Sequence, residues 1–365
     1  MTNMKIIYMK KYLLIIVLSL FATTGIAQTM TKENNYGIKK LKLEFRADFD
    51  LFTQDDVIWS GFTGKYLNFI IAGDINEQLY YAYRQRINKV QNDARFFDAT
   101  DYLYLGWRIT KNISWTAGKE IVAMGGVEYD LAPIDVYFHS QFWDNFNCYR
   151  FGTNLEFTTN DGKNIFTLQF TNSPFDKGFV YSGLYNYSIH WRANYKHFGP
   201  VCSINMFEYK KGTFLNVIAL GTSFKFSSFV GYFDIANRAH GDQNDFLFKD
   251  MTIIGRIGCN LMNDKLQIYL KTGYDVNDAQ MPTTIYNDIY DHCVLPGTDV
   301  KFYGGGFEYF PLQGRNDIRV HAFVAMSDVK RSMSVNNGAL EPEDVDCTSV
   351  QFNMGLTWRL NYIDK

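Results

Sequence analysis

Beyond residue 27 the sequence lacks any apolar run long enough to cross a bilayer as a helix, for which about 20 residues are needed. Proline is scarce, at 7 of 365 residues, and no Pro- or Ser-rich linker divides the chain into the two or three domains its length suggests. There is no surplus of one charge: 36 basic against 38 acidic side chains leave −2. A mildly acidic chain has no general attraction for nucleic acid. The cysteines are five, an odd number that does not make a disulfide framework in an exported protein. Catalytic signatures are missing too. There is no Gly-x-Ser-x-Gly nucleophile turn, no glycine-rich phosphate loop and no His-Glu-x-x-His. These absences argue against helical membrane proteins, nucleic-acid binders and small disulfide scaffolds. The high aromatic content, 31 Phe, 25 Tyr and 6 Trp, argues against a disordered chain.

The first 27 residues read as an export signal: Lys5, Lys10 and Lys11 precede the apolar run Leu13 to Ala22, and Gly25-Ile-Ala27 offers small residues for cleavage. Removing three Lys and no acid takes the charge from −2 to −5. The mature part, 28–365, is expected to be one unit.

What dominates that part is period two. In Leu41–Phe49, Leu41, Leu43, Phe45, Ala47 and Phe49 alternate with Lys42, Glu44, Arg46 and Asp48. On a strand these sets face opposite sides, whereas on a helix they would scatter around the cylinder. Val350–Leu360 and Tyr187–Asn194 behave alike. Sixteen strands are expected, near 41–49, 66–75, 79–88, 101–109, 113–120, 148–158, 164–170, 186–195, 201–209, 214–224, 226–237, 251–260, 266–274, 300–310, 317–327 and 349–360, with 214–224 and 300–310 open to a shift of one residue. Short turns such as Thr110–Asn112 and Thr159–Lys163 alternate with long segments at 50–65, 89–100, 121–147, 171–185, 238–250, 275–299 and 328–348, except at Lys210–Thr213. The fold class this indicates is all-β: a transmembrane, antiparallel, up-and-down barrel, tight turns at one rim and long loops at the other. Strands of about ten residues, tilted by about 45°, cover the apolar height of an outer membrane. Outer-membrane lipid is therefore an expected partner. Tyr66, Tyr102, Trp107, Trp115, Tyr195, Tyr209, Trp358 and Tyr362 are candidates for the interfacial girdles.

Several segments resemble the phosphate-selective porin O and P family, in particular its Bacteroidetes-type members: Phe97-Asp-Ala-Thr-Asp101, Ala117-Gly-Lys-Glu120, Met124-Gly-Gly-Val-Glu-Tyr-Asp-Leu-Ala-Pro-Ile-Asp-Val-Tyr137, Ser203–Tyr209 and Gly355–Trp358. The resemblance implies a sixteen-stranded, water-filled, trimeric porin in the outer membrane. It does not by itself imply phosphate as the solute.

The register places Lys42, Arg46, Arg84, Arg86, Arg108, Arg150, Arg192, Arg256, Lys271, Arg319 and Arg359 on the inner wall, with Glu44, Asp48, Asp74, Glu156, Asp234 and Asp275. A charge on the lipid face would cost about 2–4 kcal/mol at mid-depth. Such a wall either favours anions or carries paired charges that keep the lumen wet. The segment 121–147 is the candidate constriction loop. Its Tyr129, Val136, Tyr137 and Phe138 could pack on the wall while Glu128, Asp130, Asp135 and Asp144 face the basic side across a narrow gap. Passive diffusion of small hydrophilic solutes is the expected function, with or without a preference for anions such as phosphate. A structural or adhesive barrel is the alternative, and a hydrolase using His139, Ser140 and nearby acids a weaker one. No cofactor and no metal are expected, since Asp291-His-Cys293 lacks a second spaced ligand pair. Cys293 and Cys347, in two long loops, could pair.

Overall fold

The computed structural model describes residues 36–90, 96–176, 183–241, 243, 245–279, 293–312, 317–336 and 339–364. The segment read as an export signal lies outside them, as do Asp291 and His292. Sixteen antiparallel strands form one closed ring in which each is bonded to its neighbours in sequence and the last to the first. They are β1 (Gly37–Gln54), β2 (Val57–Asp74), β3 (Leu79–Arg86), β4 (Thr100–Arg108), β5 (Ile113–Ile121), β6 (Tyr149–Thr158), β7 (Asn164–Asn172) and β8 (Tyr185–Ala193). Then follow β9 (Phe198–Lys210), β10 (Thr213–Phe226), β11 (Phe229–His240), β12 (Asp250–Leu261), β13 (Leu266–Asn277), β14 (Thr298–Tyr309), β15 (Ile318–Asn336) and β16 (Ala339–Asp364). The seam runs from Lys40↔Asp364 to Gln54↔Ser349, so no edge is left for its backbone groups to go unpaired.

Alternation decides the two faces. Leu168, Ile189, Ile204 and Leu270 are exposed outside, whereas Thr167, Gln169, Ser188, His190, Ser203, Asn205 and Lys271 on the same strands are buried inside. Cys202 and Cys259 pair with Trp191 and Ile268 on the outer face. Trp107, Trp115, Tyr195, Trp358 and Tyr362 are exposed, as an aromatic girdle requires. Tyr66, Tyr102 and Tyr209 are not girdle residues. Tyr209 is buried, Tyr66 borders an inner chamber, and Tyr102 carries the Arg84 guanidinium over its ring. Each shares the inward face of its strand, Tyr209 with Asn205 and Phe207, and proximity to a strand end could not reveal that.

Two of the expected long connections are strands. Residues 50–65 form an extended hairpin turning at Asp55-Asp56, and 328–336 and 339–348 belong to β15 and β16, with pairs reaching Asn336↔Ala339. Long strands outrun a membrane-height template, which is why the sequence reading cut them short. The tail beyond Leu360 is likewise strand up to Asp364. No disulfide joins Cys293 to Cys347: Cys293 is buried among lumen residues, and Cys347 accepts a hydrogen bond from Gln54.

Candidate functional site: a loop clamped across the lumen

The segment between β5 and β6 folds into the barrel. Val122, Met124, Tyr129, Phe142 and Phe146 are buried against Phe207, Tyr209, Leu215, Val217 and Ala219 of β9 and β10. The inner face of β10 is therefore a dry bed rather than a wet wall. Its sequence, apolar on both faces from Val217 to Leu220, carries that signal, because a lumen face greasy enough to match the outer face must meet protein.

Backbone meets backbone at Gly125. A Cβ there would stand 2.7 Å from the Ala219 carbonyl oxygen and 2.9 Å from the Ser203 amide nitrogen, so only glycine lets the loop sit this low. Its N–H donates to Ser203 Oγ at 2.7 Å. Gly126 follows at φ +137°, a conformation that side chains rarely adopt. The loop then enters a helical turn, Val127–Asp130, whose first amides donate to the two carboxylate oxygens of Asp234 at 2.7 and 2.8 Å. A second turn, Gln141–Asn145, is held in the same way: the Gln141 N–H donates to Asp275 at 2.7 Å, and Ser140 Oγ accepts from Trp143 N. Two wall aspartates thus satisfy amides that helix starts leave without partners.

The basic wall residues complete the clamp. Lys271 lies 2.8 Å from Glu128, both nearly fully buried, and also donates to the Phe138 carbonyl. Tyr232 donates to Glu128 as well. Arg319 (2.7 Å) and Arg359 (2.5 Å) converge on Asp135, and Arg46 donates to the carbonyls of Ile134 and Val136. Tyr137 stacks on His321 with ring centroids 4.2 Å apart and donates to Glu308 at 2.6 Å. Arg192 lies 3.7 Å from Asp130. The gap expected between acidic loop and basic wall is therefore closed by direct contact at Glu128 and Asp135. Desolvated charges of opposite sign bond to each other rather than hold water between them.

Elsewhere on the wall, Arg84 and Arg86 share Asp101 at 3.1 and 2.8 Å, and Arg108 pairs with Asp74 at 2.8 Å. Arg256 pairs with Glu308 at 3.2 Å, and Arg150 donates to the Asp176 carbonyl. Lys42 pairs with Asp364 at the base of the barrel. Sequence reasoning missed Arg238, which is fully buried and lies 2.7 Å from Asp250, because the expected strand stopped one residue short of it. It also missed Glu308, the shared partner of Tyr137, Arg256 and Arg319, whose strand register was open by one residue.

The loop's hydrogen bonds and ion pairs run to β7, β8, β9, β11, β13, β14, β15, β16 and β1. Between it and the inner faces of β2, β3 and β4 lies a chamber of about 790 Å³, bordered by Lys65, Tyr66, Arg86, Lys89, Asp98, Asp101, Trp143, Asp144 and Tyr149. Asp144 keeps 63% of its side-chain surface accessible and lies 3.4 Å from His139 Nδ1. Its narrow protein surroundings, and then the negative Asp275, push its carboxyl up to about 6. Burial, followed by Lys271 and Arg46, pushes His139 down to about 3, so the imidazole is neutral at pH 7 and leaves the Asp144 charge uncompensated.

A closed barrel with a greasy exterior, a charged interior and one loop folded into its bore defines an outer-membrane diffusion channel. The family described as phosphate-selective porin O and P matches residues 40–249, and the chain belongs to it. Solved structures of similar fold include the in-vitro folded trimer form of OmpT from Vibrio cholerae (12% identity, TM-score 0.57, covering 90% of this chain and 100% of that one). An anion-selective porin from Comamonas acidovorans is also similar (10%, TM-score 0.62, 89% and 100%), as is the outer membrane channel DcaP of Acinetobacter baumannii (10%, TM-score 0.58, 90% and 99%). No curated protein matches the chain in sequence. The protein is an outer-membrane porin for passive diffusion.

Two outcomes check the clamp. Glu128→Gln leaves the Lys271 ammonium buried without its counter-charge and is expected to weaken loop anchoring by about 3–5 kcal/mol. Hydrogen exchange of the loop amides should speed up accordingly, and adding Lys271→Met should slow it again. Gly125→Val is expected to lift the loop from β9–β10 and change single-channel conductance while circular dichroism still reports an intact barrel. An unaltered conductance would contradict the seating described.

Proposed function

We propose that solutes cross on the β2–β6 side of the lumen, through the chamber beside the constriction loop, and that small anions pass somewhat more readily than cations. The observation that carries this is the division of charge. The acids Glu128 and Asp135 are consumed in holding the loop. On the open side, Lys89 is exposed on a 3-10 turn, Ile87–Val90, and Arg84 and Arg150 each keep a guanidinium nitrogen without an acceptor among the described residues. The preference is modest, since Asp98, Asp101 and Asp144 border the same chamber. The similarity in fold to an anion-selective porin supports this direction.

Three further elements belong to the proposal. Residues 1–27 direct export, the apolar outer belt meets outer-membrane lipid, and three copies assemble, for which the trimer form of a structurally similar protein is the support. The chain is a conduit and not a catalyst. Ser140, the nucleophile a hydrolase would need beside His139, is fully buried and caps a helical turn with its Oγ.

Reversal potentials in a potassium chloride gradient test the charge preference. Lys89→Glu is expected to move the potential toward potassium, and a wild type that already favours potassium would overturn the anion reading. Asp144 adds a pH dependence with a defined sign. Its carboxyl carries charge above about 6 and loses it as pH falls through that value, so anion preference should rise between pH 7.5 and 5. In Asp144→Asn that rise should be smaller.

A further inference from the structure

The open side of the lumen holds a feature that diffusion of small ions does not call for. Four tyrosine rings from β6, β4 and β3 follow one another in contact. Tyr149 and Tyr102 have centroids 5.5 Å apart, Tyr102 and Tyr104 6.2 Å, and Tyr104 and Tyr80 6.4 Å. The series starts at the chamber, which Tyr149 borders, and ends at Tyr80, the second residue of β3, beside the short β2–β3 turn. It therefore runs most of the way down the wall that the loop leaves uncovered.

Successive rings meet edge to face, with 79° to 86° between their planes, and Tyr149 at the upper end is buried. Tyr80 lies across Gly106: a Cβ at that glycine would stand 2.1 Å from the ring. Guanidinium groups lie over the rings as well, Arg86 at 5.3 Å from the Tyr149 centroid, Arg84 at 5.7 Å from Tyr102 and Arg108 at 4.6 Å from Tyr80. Asp101 and Asp74 offset these guanidinium charges. Glu120 belongs to the same wall. It accepts from Thr116 Oγ1 at 2.9 Å, and that hydroxyl lies 2.7 Å from Asn154 Oδ1. Arg84, only 5% exposed, keeps Nη2 without an acceptor among the described residues.

We propose that this tyrosine series is a binding track for neutral carbohydrate, engaging pyranose rings as they pass. A pyranose presents apolar C–H faces and a rim of hydroxyl groups that both donate and accept. Aromatic surfaces suit the faces, and alternating guanidinium, amide and carboxylate groups suit the rim. A compact anion would use the guanidinium edges but gain nothing from four rings in series. The inference rests on the channel reading but not on the ion preference.

The test is current block by maltotriose, measured on the full-length protein in a planar bilayer, with a polyethylene glycol of equal mass as the size control. Maltotriose should reduce the ion current at concentrations where the polymer does not. Tyr104→Leu should weaken the block roughly tenfold, Tyr80→Leu should weaken it independently, and Tyr104→Phe, which keeps the ring, should retain most of it. Equal block by sugar and polymer, or block that survives both leucine variants, overturns the track while leaving the channel intact. Block by inorganic phosphate but not by maltotriose overturns it in favour of an anion site. Absence of conductance steps would sink the channel reading and the track with it.

Discussion

In hydrocarbon a backbone N–H or C=O without a partner costs several kcal/mol, and no water is present to supply one. The pairing of β1 with β16 removes that cost for the whole sheet at once. Closure fixes the rest. An even number of strands brings both ends of the sheet to the rim of short turns, and a fixed register sends every second side chain into the bore. Arg46, Asp48 and Asp50 then lie inward on one strand while Ala47 and Phe49 lie outward.

A bore of this size would be a wide hole without something inside it. The β5–β6 loop supplies that, and the wall charges hold it. Asp234 and Asp275 cap its helical turns, Lys271 meets Glu128, and Arg319 and Arg359 meet Asp135. Charge that in isolation suggests an ion filter is thus largely structural. The filter we propose is what remains on the other side, where Lys89, Asp144 and Tyr149 border the chamber. The asymmetry between a dry, filled half and a wet, open half follows from one strand, β10, whose inward side chains are Leu215, Val217 and Ala219.

Much of this was legible in advance, for a reason that also marks its limit. Alternation is a local property, so the inward placement of Arg46 or Lys271 could be read from neighbours two residues away. What each inward group touches is set by residues far along the chain. Lys271 meets an acid 143 positions earlier, and nothing in the spacing of either segment identifies the other. The same limit misassigned Tyr66, Tyr102 and Tyr209, because a ring near a strand end suits a girdle or a lumen equally well until the register is known.

By itself the sequence determined the period-two pattern, the sixteen strands, and that one long aromatic loop would have to leave water. Those follow from chain-local geometry and from the solubility of each side chain. Only the tertiary structure decided which wall charges are spent on the loop, which half of the bore stays open, and that four tyrosines from three strands come into series. Those depend on where a curved sheet brings distant residues together, and the free energy of a charge or a ring is set by the partners it meets there.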